Sequence, residues 1–113
     1  MQFYSTNNIS VTADFKEATI LGQAPDKGLY FPSEIPKLSL TFIEQIKNLS
    51  KEELAFKVIE PYVGDAIPSN ELKRIVTETI SFDFPLVPVT EAISTLELFH
   101  GPTLAFKMLG PGL

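Results

Sequence analysis

The sequence predicts an α+β protein, a small and mostly helical domain carrying a few short strands. Two observations predict this class. Several apolar runs with helical spacing follow residues suited to begin a helix, and from Phe82 onward the pattern turns β-branched and proline-rich. The size agrees: 113 residues argue for one small domain with a modest core, and 44% apolar against 20% charged residues is an ordinary globular composition.

Phe3 and Tyr4 open a short apolar stretch that suits a strand, and Asn7-Asn8 interrupts it with turn chemistry. Asp14 followed by Glu17 is a capping-box pattern, so a helix is expected over 15–21, with Phe15, Ala18 and Leu21 on one face and Gly22 as its stop. Residues 23–38 are punctuated by Pro25, Gly28, Pro32 and Pro36 and read as an irregular connection. Leu29, Tyr30 and Phe31 within it are expected to point to the core.

Three helices follow. Thr41 with Glu44 opens the first, with Phe42, Ile43, Ile46 and Leu49 at helical spacing. Ser50 with Glu53 opens the second, backed by Leu54, Ala55, Val58, Ile59 and Tyr62. Pro61 lacks a backbone donor, so a kink or an end is expected near Glu60, and Gly64 closes the element. Pro68-Ser69 opens the third, with Leu72, Ile75, Val76 and Ile80 on one side. Residues 82–89 then suggest an edge strand or extended run, 96–99 a second strand, 100–103 a turn, and 104–109 a helical start that Gly110-Pro111-Gly112 ends. The shift from helix to strand predicts two parts, 1–85 and 86–113, with no internal repeat.

Composition excludes several chemistries. A formal net charge of −5 without a basic stripe argues against nucleic acid, which is held through clustered Lys and Arg. With no cysteine and a single histidine there is no disulfide scaffold, no thiol nucleophile and no multi-histidine metal site. No basic start with an apolar run of signal-peptide length and no membrane-length apolar stretch is visible, so a cytoplasmic protein without a membrane partner is the expectation.

The segment with chemical content is 97–107: Glu97-Leu98-Phe99-His100-Gly101-Pro102-Thr103-Leu104-Ala105-Phe106-Lys107. By its residues it is a strand, a Gly-Pro turn and a lysine on a first helical turn. Backbone N–H groups beside such a turn suit an anion. A lysine flanked by Ala105 and Phe106 can be partly desolvated, which lowers its pKa and makes the amine nucleophilic, whereas a lysine near a chain end is more often a solvated charge.

This run resembles the Schiff-base lysine motif of the threonine synthases, matching without a gap from Glu97 through Lys107. Pro102-Thr103 and Phe106-Lys107 are also similar, more loosely, to elements of the wider fold-type-II pyridoxal-phosphate enzymes. Upstream, Asp26-Lys27-Gly28-Leu29-Tyr30-Phe31-Pro32 looks like the family's N-terminal Gly-Leu-Phe-Pro stretch. Val63-Gly64-Asp65-Ala66-Ile67-Pro68 and Pro85-Leu86-Val87-Pro88-Val89 fit in order and spacing.

The resemblance spans residues 3–107. It implies an enzyme that turns O-phospho-L-homoserine and water into L-threonine and phosphate, a carbon–oxygen lyase acting on phosphate, with pyridoxal 5′-phosphate as cofactor. It implies Lys107 as the catalytic residue and the Schiff-base attachment point, with Phe106 beside the cofactor. Thr103 is a candidate for substrate binding or for capping the turn. His100 is a candidate for touching cofactor or substrate, or for a structural hydrogen bond to the turn. By the same resemblance 86–113 is the first strand-turn-helix piece of a truncated cofactor domain.

The match departs after Lys107, where the family continues with an acidic residue and a Gly-rich helix start while this chain reads Met108-Leu109-Gly110-Pro111-Gly112-Leu113. The 113-residue chain by itself is therefore expected to lack activity and cofactor. Residues 82–107 are expected to expose apolar strand edges that pair with a second copy or pack back on the helices. The other class of function compatible with the residues is a small acidic protein-interaction module whose patch is Leu96, Leu98 and Phe99.

Overall fold

A computed structural model describes residues 1–102. In chain order the elements are β1 (Phe3–Ser5), α1 (Phe15–Leu21), β2 (Tyr30–Pro32), α2 (Leu40–Gln45), α3 (Lys51–Val63), α4 (Ser69–Thr79), β3 (Leu86–Pro88) and β4 (Ser94–Leu96). Short 3-10 turns follow α2 at Ile46–Asn48 and α3 at Gly64–Ala66. The α+β mixture expected from the sequence is what the chain forms. It divides into two compact units, Met1–Arg74 and Ile75–Leu113, the division falling within α4. Among the described residues no helix is long and apolar enough to cross a membrane.

In the first unit β1 and β2 pair antiparallel, Phe3 opposite Pro32, Tyr4 opposite Phe31 and Ser5 opposite Tyr30. Phe3 also exchanges backbone hydrogen bonds of 2.8 and 2.9 Å with Ala13. Phe3, Ala13, Ala24, Phe56, Val63 and Leu72 are its buried apolar residues. α1 packs against α3 and the turn after it.

Helix starts follow local chemistry. Asp14 accepts from the Glu17 amide while Glu17 accepts from the Asp14 amide, so the expected box is present, and Gly22 (φ +68°) caps the end. Ser50 and Glu53 form the second box, and the Ser50 amide and hydroxyl hold the Glu53 carboxyl below the usual carboxylate range.

Four expectations are corrected. α2 is capped by Ser39, whose hydroxyl accepts from the Phe42 amide at 3.1 Å, so Thr41 lies already inside the helix and makes no box with Glu44. α3 does not end near Glu60. It runs through Pro61, which withdraws only the bond that its own amide would have made, to the buried Val63, and Gly64 closes the element as expected by donating to the Glu60 carbonyl.

Its deepest residues are Phe56 and Val63 rather than the predicted stripe, in which Val58 is exposed. Finally, Leu29-Tyr30-Phe31 is not a core segment. Leu29 and Phe31 are 65% and 44% exposed, because Tyr30 and Phe31 belong to β2, an edge strand of a two-stranded ribbon that leaves one face open.

The tightest cross-link in the unit centres on Asp26. Its carboxylate accepts from the Ser5 hydroxyl (2.6 Å) and from the amides of Ile9, Ser10 and Gly28 (3.1, 2.9 and 3.0 Å). Return bonds run from the Asn7 amide side chain to the Asp26 carbonyl and from the Asp26 amide to the Ser10 hydroxyl. The bond from the Gly28 amide makes an Asx turn, and Ser5 is completely buried beneath it. The Ser5 hydroxyl, helped by the three amides against a partial desolvation, holds the Asp26 carboxyl far below the usual carboxylate range.

The sign follows from that depression. Asp26 stabilises the fold above the unfolded carboxylate pKa of about 3.9, and the contribution is lost as pH falls through the lowered folded value. The expected result is that Asp26→Asn narrows the stability difference between pH 6 and pH 2, measured by urea unfolding at each pH. An unchanged difference would remove Asp26 from the acid response.

Candidate functional site

In the second unit β3 and β4 form an antiparallel hairpin, Leu86 opposite Leu96, Val87 opposite Thr95 and Pro88 opposite Ser94. Thr90 shapes the connection: its hydroxyl oxygen accepts from the amides of Ala92 and Ile93 at 3.3 and 3.1 Å, and the Val89 and Thr90 amides donate to the Ile93 carbonyl. The ladder ends where Glu97 donates its amide to the Pro85 carbonyl at 2.9 Å, since Pro85 has no N–H to return. That is why β4 is Ser94–Leu96 and not the predicted 96–99.

The chain then enters the turn singled out by the sequence. Leu98 is partly buried, and Leu96 and Phe99 are each 51% exposed. The Phe99 and His100 rings lie 4.6 Å apart, tilted by 32°. His100 Nε2 sits 2.5 Å from Glu97 Oε2. An ionised carboxylate only accepts, so Nε2 carries the proton and donates. In the neutral ring Nδ1 is then the acceptor, the nitrogen able to receive a hydrogen bond or a proton. Gly101 is buried against Phe82. A methyl group there would come within 3.0–3.2 Å of three atoms of the Phe82 ring, so the absence of a side chain lets the turn lie flat on the aromatic.

Of the sequence-predicted site residues, His100 is therefore placed on this turn, hydrogen-bonded to Glu97. Thr103, Phe106 and Lys107 lie outside the described residues. Sequence reasoning missed Glu97 as the partner that fixes the ring, although an acid three residues before a histidine at a bend is a readable signal.

A separate open groove of about 740 Å³ lies in the first unit, lined by Ile9, Val11, Ile20, Leu21, Pro25 and Tyr30 among others. Its floor is apolar and its wall at residues 9–10 is held by the Asp26 carboxylate.

The family model described as threonine synthase N terminus matches residues 2–80. The chain is 34% identical over 110 residues to the threonine synthase of Escherichia coli (strain K12), covering 97% of this chain and 26% of that protein. It is 40% identical over 113 residues to the threonine synthase of Schizosaccharomyces pombe, covering 95% of this chain and 22% of that one. Its backbone is similar to the crystal structure of the E. coli threonine synthase (TM-score 0.87, 34% identity, 96% of this chain and 25% of that chain). It is likewise similar to the PLP-bound threonine synthase of Brucella melitensis (TM-score 0.88, 37% identity, 96% and 24%). The chain spans about a quarter of the length of the curated relatives it matches.

Proposed function

This chain belongs to the threonine synthase family, and from that premise we propose that a full-length protein carrying it converts O-phospho-L-homoserine and water to L-threonine and phosphate. The supporting observation is that similarity to the E. coli enzyme runs through 97% of the chain, a span too long to leave out the turn at residues 97–102.

The proposal takes pyridoxal phosphate as the cofactor, the ligand named for the Brucella relative. When bound, it supplies an electron sink for charge that develops on substrate carbons. A turn with a tightly packed glycine and a histidine that leaves Nδ1 as its acceptor fits one edge of such a site. Lys107 Nζ would hold the cofactor and carry protons between substrate carbons. Phe106 would pack beside the cofactor, and the Thr103 hydroxyl would bind an anionic group of the substrate. His100, oriented by Glu97, would offer Nδ1 to cofactor or substrate. In this reading 1–85 is the N-terminal domain and 86–113 opens the catalytic one, in keeping with helices that end at Thr79 and strands that resume at Leu86.

By the same reading the 113-residue chain alone is inactive. A lysine amine without walls to exclude water holds a cofactor only loosely. The test incubates the full-length protein with pyridoxal phosphate and O-phosphohomoserine and measures threonine and phosphate. Equal release of both by the full-length protein, and neither by residues 1–113, is expected. No threonine from the cofactor-loaded full-length protein would overturn the assignment, and turnover by the 113-residue chain would overturn its inactivity.

A further inference from the structure

Two short-range contacts shape the turn at residues 97–101 from within. His100 Nε2 donates to Glu97 Oε2, and the His100 ring lies against its neighbour Phe99. Both close within three residues, so they set the form of the turn and not its place in the unit. That place has to come from a group remote in sequence. Among the described residues after Val76, Gly101 alone is buried, and the ring against it is that of Phe82, from the far side of the hairpin. The hairpin itself contributes little burial, since β4 is exposed throughout and β3 at both its ends.

The contact has a definite geometry. A methyl carbon at Gly101 would stand 3.0 Å from Phe82 Cζ and 3.2 Å from each of Cε1 and Cε2. Equal distances to the two Cε atoms, hardly longer than the one to Cζ, put the glycine over the ring face at its outer end. The glycine is not required by its backbone. Positive φ is found at Gly22 and Gly64, not at Gly101. What the position requires is the absence of a side chain above an aromatic face.

We infer that Phe82 is a positioning residue for the reaction proposed above, on which this inference rests: its ring sets the height of the Gly101 backbone, and with it the placement of His100 and of the chain that leads to Lys107. Phe82 lies upstream of the Glu97–Lys107 run and acts through the turn, not on substrate. The effect on rate is large because a misplacement of about 1 Å near a reacting group can cost roughly 100-fold.

The experiment is a double-variant cycle in the cofactor-loaded full-length protein. Gly101→Ala sets a methyl group against the ring, and ring or turn must give by a few tenths of an ångström. Phe82→Leu removes all three ring atoms that the methyl group would meet. Each single change is expected to lower kcat roughly 10-fold, with the KM for O-phosphohomoserine moving less. The double variant is expected to turn over at least about threefold faster than Gly101→Ala alone, because the methyl group takes the space that the ring has left. A double variant as slow as Gly101→Ala, or slower, would overturn the inference. So would a recovery confined to the urea midpoint, which a purely structural contact would give.

A second readout does not depend on turnover. The nitrogen NMR signals of the His100 ring, assigned by their loss in His100→Asn, should shift in Gly101→Ala and move back toward wild type in the double variant. Signals that ignore both substitutions would overturn the inference. Threonine formation by the wild-type protein is scored separately. A protein whose His100 signals follow the cycle yet makes no threonine sinks the proposed activity alone, and one that makes threonine with uncoupled variants sinks only the role of Phe82.

Discussion

Replacing Lys107 with alanine in the full-length protein is expected to reduce threonine formation by roughly 10⁴-fold or more, the scale seen when a residue that bonds covalently during catalysis is removed. An amine that attaches a cofactor and then moves protons does two jobs that no hydroxyl or methyl group can take over. The run from Glu97 leads into it through a histidine fixed by Glu97 and a glycine laid on Phe82. Two readouts separate a lost attachment point from a damaged fold: the cofactor's visible absorbance, and the cofactor retained on the chain after borohydride reduction. Wild-type protein should retain the cofactor at Lys107, and Lys107→Ala should retain none there while keeping the same circular dichroism spectrum. Unaltered retention and turnover in the variant would remove Lys107 from the site.

The second large effect is expected far from that lysine in sequence. Gly28→Ala should destabilise the first unit by about 3 kcal/mol or more, the upper range for forcing an atom into a packed interior. A methyl group at Gly28 would fall 2.0 Å from Ser5 Oγ, 2.9 Å from the Asn7 amide nitrogen and 3.1 Å from Asp26 Oδ1. Each is tied in place by hydrogen bonds or burial. Ser5 is fully buried, Asn7 donates its amide to the Ser5 hydroxyl, and Asp26 is held by four donors. Urea unfolding of the variant should show a lower midpoint at an unchanged slope. An unfolding free energy within about 0.3 kcal/mol of wild type would mean that the strap yields more easily than its bonding suggests.

What could be read in advance was local. The capping boxes at Asp14/Glu17 and Ser50/Glu53 were legible because their hydrogen bonds close within three residues. Gly22 and Gly64 were legible as stops because each closes its helix on a carbonyl only four residues back. β2 was not, because Tyr30 and Phe31 become a strand only by pairing with Tyr4 and Ser5, some twenty-five residues earlier, and three prolines around them mimic a loop. Ser39 was missed because Thr41 offers the same chemistry two positions later, and the choice between them rests on backbone geometry.

The Asp26 strap was half visible: the motif from Asp26 to Pro32 stood out, yet nothing in sequence ties Asp26 to Ser5. At the turn, the sequence marked His100, and the structure added the Glu97 carboxylate that selects its tautomer.

The bonding around Asp26 also bears on how the chain tolerates trimming. Of the four groups that donate to its carboxylate, three belong to Ser5, Ile9 and Ser10, and only Gly28 lies downstream. The opening ten residues look like a ragged leader that a protein chemist would clip away to improve crystals. Clipping them would instead strand a bare anion over an empty seat and take from β2 the strand it pairs with, β1. Shortened versions of this polypeptide should therefore be cut elsewhere, and any fused tag is better joined ahead of Met1 than put in place of the first ten residues.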